Sequence, residues 1–258
     1  MELIDSHCHL DFPEFSNVDQ LWQKCRQQHI KHIIIPATEA QYWPRIQALC
    51  EQHPGCFWSA GLHPWWVNAQ TFSELQDSLS QALNDPNCVA IGECGLDGGK
   101  GITELHKQAL SWQLEQARDL NKPVILHAHK AHQELLSLLK KFQPLHGVVH
   151  GFHGSIELAQ SYISLGFLIG IGGGITYPRA QKTRRTVSQL ALEHIVLETD
   201  APSMPLYGQQ GKANSPLALA DINQCLADIR SESPEKIANI TSANSRRLFG
   251  LDLCDNRA

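Results

Sequence analysis

Eight short apolar runs, each followed by a longer stretch of helical period, constrain this chain more than any other feature. The runs are ELID (2–5), HIIIP (32–36), FWSAGLHP (57–64), CVAIGECG (88–95), PVILHAH (123–129), GVVHGFHG (147–154), FLIGIGGG (167–174) and HIVLETDAP (194–202). Each is short and nearly continuously apolar, the pattern of a strand covered on both faces. Between them, VDQLWQKCRQQ, ELHKQALSWQLEQARDL and AHQELLSLLKKF carry apolar residues at intervals of three and four. Strands alternating with amphipathic helices imply parallel strands joined by crossover helices. Eight such units in 258 residues predict an α/β fold closed as a (β/α)8 TIM barrel rather than an open sheet. A Gly/Pro-rich loop, APSMPLYGQQGKANSP, follows the last run, and two more helical segments follow that. No low-complexity linker or internal repeat divides the chain, so residues 1–258 are expected to form a single domain.

In such a barrel, function collects at the C-terminal ends of the strands. The first run ends in DSHCH, which delivers His7 and His9 just after Asp5. Strand side chains alternate, so these two imidazoles share a face while Cys8 points away. The fourth run then delivers Glu93, the fifth His127, the sixth His150 and the eighth Asp200. Taken singly, each has an ordinary reading: a helix cap for Asp200, a lysine partner for Glu93, a satisfied barrel histidine for His127 or His150. Six metal-type ligands on one rim would be costly to desolvate without a partner. One zinc needs only about three protein ligands, so six groups fit two divalent cations per subunit, with Glu93 as the natural bridge. The set contains no thiolate, which leaves Zn, Mn or Mg open.

The net charge of −5 argues against a general electrostatic grip on nucleic acid. Any polyanion must therefore be met locally, and bound metal can supply the charge. No apolar run is long enough to span a bilayer, and MELIDSHC lacks the pattern of a signal peptide. Eight cysteines without a Cys-x-x-Cys pair indicate neither a zinc ribbon nor a disulfide framework, so the expected setting is cytoplasmic. GIGGG (170–174) is not a dinucleotide fingerprint, and no Gly-Lys-Ser/Thr follows it. It reads as a tight turn or as bare backbone approaching a substrate. No Gly-x-Ser-x-Gly elbow is present, and Cys8 and Cys94, facing away or in a turn, show no sign of an activated thiolate.

DSHCHLD, GLHP, IGECGLD, PVILHAH, VVHGFHGS, LETDAP and NSRRLFGL, in this order, resemble the successive signatures of the TatD family of metal-dependent hydrolases. The stretch ETDAPSMPLYGQQGKANSP resembles the YjjV-like branch. The resemblance implies a TIM barrel, a dinuclear metal centre and phosphodiester hydrolysis, with deoxyribonuclease activity. By motif, it implies that His7, His9 and Asp200 hold one ion, that His127 and His150 hold the other, and that Glu93 bridges them. The chain departs from the family pattern at Ala128, His129 and Lys130 after the fifth strand, and at Gly98 and Gly99 after GLD. It departs again at Lys107, where arginine is common, and in HGFHG. None of these removes a ligand; all fall where substrate would be gripped.

The expected reaction is attack of metal-activated water on a phosphodiester, with DNA or another phosphodiester as partner, no membrane and no obligate protein partner. One cation lowers the pKa of water while the other polarises the phosphoryl oxygen. Asp200 and Glu93 are the catalytic candidates, Asp200 taking or orienting the proton of the water. His63 reads either as a substrate-binding group, for phosphate contact or leaving-group protonation, or as packing beside Pro64 and Trp65. His153 has the same two readings, substrate contact or loop filling. Trp65 and Trp66 suit base stacking or rim packing. Lys182, Arg184 and Arg185 read as a solvated helix turn or as a phosphate-tracking patch. Two other functions share these residues: an amidohydrolase-type C–N or ester hydrolase, and a metal-binding interaction protein without turnover. Amidohydrolases often bridge their metals with a modified lysine on the fourth strand, where this chain has Glu93.

Overall fold

A computed structural model describes residues 1–251. Eight strands form one sheet in sequence order: β1 (Leu3–Asp5), β2 (Ile30–Pro36), β3 (Cys56–Ala60), β4 (Cys88–Asp97), β5 (Val124–His129), β6 (Gly147–Val149), β7 (Phe167–Ile171) and β8 (Ile195–Leu197). Every neighbouring pair from β1–β2 to β7–β8 is parallel. Seven helices cross between them: α1 (Val18–Gln27), α2 (Trp43–Gln52), α3 (Ala69–Ala82), α4 (Glu104–Asp119), α5 (His132–Leu139), α6 (Ile156–Ile163) and α7 (Gln181–Gln189). Then α8 (Leu219–Arg230) and α9 (Pro234–Phe249) complete the chain as described. This is the (β/α)8 TIM barrel that the alternating runs predict. Among the described residues, no helix is long and apolar enough to cross a membrane.

Local chemistry sets the helix starts. Asn17 caps α1 by accepting the Gln20 N–H, and Asn68 with Thr71, and Thr103 with His106, form reciprocal capping boxes on α3 and α4. Burial then fixes the layers. All ten residues of β4 are buried, as a central parallel strand requires. One apolar cluster draws Ile4, Ile34, Phe57, Val89, Ile125, Val148 and Val196 from seven strands, with Leu168 of β7 packed against it. A contribution from every strand is the arrangement of a barrel interior. Phe57, Val89, Ile125 and Leu168 are each the second residue of their strand, and Phe249 and Leu251 join the cluster from beyond the barrel. The N-terminal mouth is thus plugged by apolar side chains, which leaves the opposite mouth for polar groups.

The seam between β8 and β1 closes just beyond both regular strands. The Ser6 N–H donates to Leu197 O at 3.0 Å, the Asp200 N–H to His7 O at 2.8 Å and the His9 N–H to Ala201 O at 2.8 Å. Asp5 latches this seam from within. Its Oδ1 accepts the Thr199 N–H at 3.0 Å and the His7 N–H at 3.2 Å, and its Oδ2 accepts the Thr199 hydroxyl at 2.6 Å. An acid ahead of the two histidines therefore ties together the chain ends that carry His7, His9 and Asp200.

Candidate metal centre

Glu93 stands at the middle of the polar mouth, and its two oxygens face two different groups. Oε2 lies 3.2 Å from His7 Nε2 and 3.6 Å from His9 Nε2. Oε1 lies 2.8 Å from His150 Nε2, 3.0 Å from His127 Nδ1 and 3.3 Å from His63 Nε2. Asp200 Oδ1 completes the first group, 3.5 Å from His7 Nε2 and 3.6 Å from His9 Nε2. The groups meet where the His7 and His150 rings stack with centroids 3.9 Å apart. The backbone serves this convergence. Gly92, at φ +140°, has no room for a Cβ beside Ile125, and Asp200 holds a left-handed φ of +53°, an uncommon conformation for a residue with a side chain.

The atoms that converge fit divalent cations. Three combinations bring nitrogen and oxygen ligand atoms within 4.8 Å of one another: His7, His9 and Glu93; His7, His150 and Asp200; and His63, Glu93 and His127. His7 and Glu93 are almost wholly buried, and lone pairs packed this tightly repel one another unless positive charge lies among them. In the protein alone, the imidazoles around Glu93 supply that charge. Burial works against a charged Glu93, yet His150, His63 and His7 hold its carboxyl well below the ordinary range. Burial likewise opposes protonation of His150, but Glu93, with Asp200 and Glu198, outweighs it and raises the imidazole. Burial drives His7 and His9 down, His9 to about 4, which leaves both neutral and able to ligate. Burial, with the charge of Glu93, pushes Asp200 up to about 6.

The site takes in seven of the eight residues singled out in the sequence. His7, His9, Glu93, His127, His150 and Asp200 converge, and His63 joins them. His63 is 5% exposed, and its Nδ1 accepts the Trp65 N–H at 3.1 Å. A neutral imidazole so engaged carries its proton on Nε2, and here that atom faces Glu93 Oε1 and His127 Nδ1, each at 3.3 Å. His153 stands apart on an exposed loop, its Nδ1 2.8 Å from Gly151 O. A Cβ on Gly174 would collide with its ring, so bare backbone in GIGGG makes room for this histidine. Arg184 turns inward, donating to Ile175 O at 2.5 Å, while Lys182 and Arg185 are exposed. Cys94 lies within β4 rather than in a turn, and burial raises its thiol far above the ordinary range.

Two acids escaped the sequence reading. Asp97, the last residue of β4, accepts the Trp65 indole N–H at 2.6 Å and the Gly99 N–H at 2.7 Å. It also lies 2.9 Å from His129 Nδ1 and 3.3 Å from His127 Nε2. Burial opposes its ionisation, but these donors hold it well below the ordinary carboxylate range. Its signal lay in the motif IGECGLD, whose final acid falls at the same strand end as Glu93. Glu198 is wholly buried, with Oε1 accepting the Gly151 N–H and Oε2 unpartnered. Burial pushes its carboxyl up to about 8. Gly170 makes room for it, since a Cβ there would strike Oε2. In the sequence it is one more polar residue of LETDAP.

The profile of the TatD related DNase family matches residues 4–250. The chain belongs to the TatD family of metal-dependent hydrolases. Among TatD proteins it is 41% identical over 254 residues to an uncharacterized metal-dependent hydrolase, YjjV, of Escherichia coli strain K12, covering 96% of this chain and 98% of that one. The crystal structure of YjjV superimposes with a TM-score of 0.88 at 38% identity, over 96% of this chain and 98% of that one. A 3'-5' ssDNA/RNA exonuclease, TatD of Erwinia billingiae, is 34% identical over 90% of this chain and 93% of its own length.

Proposed function

We propose that this TatD-family protein is a phosphodiesterase that shortens single-stranded nucleic acid from its ends, using two divalent cations seated on either side of Glu93. The observation that carries the reading is the division of labour on Glu93: Oε2 faces His7 and His9, while Oε1 faces His127 and His150. His7, His9 and Asp200 would hold one cation, His127 and His150 the other, and Glu93 both. Zn, Mn and Mg all suit these nitrogen and oxygen ligands. When bound, such cations supply Lewis-acid charge and lower the pKa of water. The Erwinia relative, an exonuclease by name, supports a nucleic-acid substrate. Free cysteines throughout the described residues accord with a reducing, cytoplasmic setting.

The protein groups divide the remaining work. Asp200, 17% exposed at its side chain, borders the mouth and receives the proton of the attacking water on a carboxylate oxygen. His63 presents Nε2–H toward the centre, placed to donate to a phosphate oxygen or to the leaving group. Asp97 fixes the His127 ring, because an Nε2–H donated to it leaves Nδ1 free for ligation. Trp65, 53% exposed, is pinned by the same carboxylate and offers a face on which a base can stack.

The test strips the protein with chelator, restores Mg, Mn or Zn singly, and offers labelled single-stranded DNA, a simple phosphodiester and a cyclic amide. DNA shortening that requires metal and is lost in Glu93→Ala is the expected result. Turnover of the amide alone would overturn the reading.

A further inference from the structure

A cavity of about 320 Å³ opens beside the metal centre and is unused by the chemistry above. Asp11, Phe12, Thr38, Tyr42, Arg45 and Trp66 line it. Its volume falls within the range of about 300–1,000 Å³ typical of small-ligand pockets. Two of its walls touch histidines of the candidate metal centre. The Phe12 ring stacks on His9 with centroids 4.6 Å apart, and the Trp66 ring meets the His63 ring edge-on at 5.0 Å. Backbone bonds hold both walls in place: the Phe12 N–H donates to His9 O at 3.0 Å, and the Trp66 N–H to His63 O at 3.0 Å. A ligand in this cavity therefore sits beside the rings that border the candidate metal centre.

The polar lining is equally specific. Asp11 is 4% exposed, yet its Oδ1 has no hydrogen-bond partner in the protein. A buried carboxylate oxygen without a partner is costly, and rotation of the Asp11 side chain toward the cavity it lines would bring that oxygen to a donor from outside. Arg45, at the exposed edge of the same cavity, offers donors of its own. Aromatic faces, an unpartnered carboxylate oxygen and a guanidinium in one small space match a flat heterocycle that has both N–H and carbonyl or ring-nitrogen edges.

We propose that this cavity is a nucleobase subsite that receives the terminal base of the strand being cleaved and favours an amino-bearing base over thymine through Asp11. It rests on the phosphodiesterase reading of the adjoining centre and adds the group that this centre would recognise. Phe12, Tyr42 and Trp66 stack the ring, which any base satisfies. As a carboxylate, Asp11 selects, because in that form it only accepts: the amino group of cytosine, adenine or guanine gives it a donor. Thymine presents carbonyl oxygens beside its one N–H, and these repel the carboxylate.

The test uses the metal-loaded protein and short single-stranded DNAs that differ only in one terminal base, each end varied in turn. Ends carrying cytosine, adenine or guanine are expected to be cleaved with kcat/KM about tenfold above thymine ends. In Asp11→Asn, which can donate to a carbonyl, that ratio falls toward one or inverts. Calorimetry with dCMP and dTMP on the same protein should show the same order, independently of turnover. Tyr42→Ala, at the exposed mouth, should weaken both nucleotides several-fold and serves if Asp11→Asn does not fold. Equal handling of all four bases, an unchanged ratio in Asp11→Asn, or dTMP binding as tightly as dCMP would overturn the subsite. Bis(p-nitrophenyl) phosphate, which has no base, separates the two readings. Its metal-dependent cleavage without base preference sinks the subsite alone. Failure to cleave it or any DNA sinks the phosphodiesterase, and nucleotide binding still decides the subsite.

Discussion

His127 Nε2 lies 3.3 Å from Asp97 Oδ2, and that contact decides which imidazole nitrogen remains for a metal. A histidine whose far nitrogen is held by a carboxylate presents a fixed, more basic lone pair to its cation. Asp97→Ala should therefore weaken cation affinity about 10–100-fold while leaving the barrel folded. Calorimetric titration of metal-free protein with Mn or Zn measures this, and unchanged affinity would show that His127 needs no such support.

Trp65 shares that carboxylate from the solvent side. Its indole N–H is held at 2.6 Å, and Lys100 Nζ sits 5.0 Å from the ring centroid, so an exposed face is kept rigid beside a cation. Stacking of one base is worth about 1–3 kcal/mol. Trp65→Ala should raise KM for a single-stranded oligonucleotide by about tenfold and raise it less for a base-free phosphodiester. Equal changes for both substrates would remove the base from this contact.

The buried Glu198 gives the metal-free protein a defined pH response. Burial pushes its carboxyl up to about 8, against about 4.3 in an unfolded chain. Between those values the folded state keeps a proton that the unfolded state has released, so stability falls as pH rises and levels off above the folded value. Melting temperatures of chelator-treated protein from pH 5 to pH 9 should therefore fall more steeply in the wild type than in Glu198→Gln. Parallel curves would show that Glu198 is not held protonated.

Arg184 tests the other reading of the basic cluster. Its guanidinium donates to Ile175 O at 2.5 Å and reaches Cys225 Sγ at 3.7 Å, binding α7 to the loop after β7 and to α8. A hydrogen bond from a charged group contributes about 1.5–3 kcal/mol. Arg184→Met should then lower Tm by about 4–8 °C, measured by calorimetry. A loss of DNA affinity without a loss of stability would instead return this arginine to the phosphate-tracking patch.

The barrel was legible because burial on both faces writes each parallel strand as an unbroken apolar run. Ligand-type residues were legible where they end such a run, as Glu93 ends VAIGE and His127 ends VILH. Residues whose neighbours are distant in sequence were not. Asp97 gains its meaning from Trp65 and His129, on β3 and β5 sides of the mouth, and Glu198 from Gly151 and Gly170. Asp5 was visible as an acid ahead of His7, but its task of latching Thr199 depends on closure of the barrel between residues 194 positions apart. His63 shows the intermediate case. Its place at the mouth could be read from GLHP, whereas the proton on Nε2 follows only from the Trp65 N–H on its other nitrogen.

Anomalous scattering from crystals grown with manganese addresses the central claim most directly. Two peaks should flank the Glu93 carboxylate, one contacted by His7, His9 and Asp200, the other by His127 and His150. A lone ion that leaves one Glu93 oxygen without a cation, or no ion among these side chains at all, would contradict a paired centre.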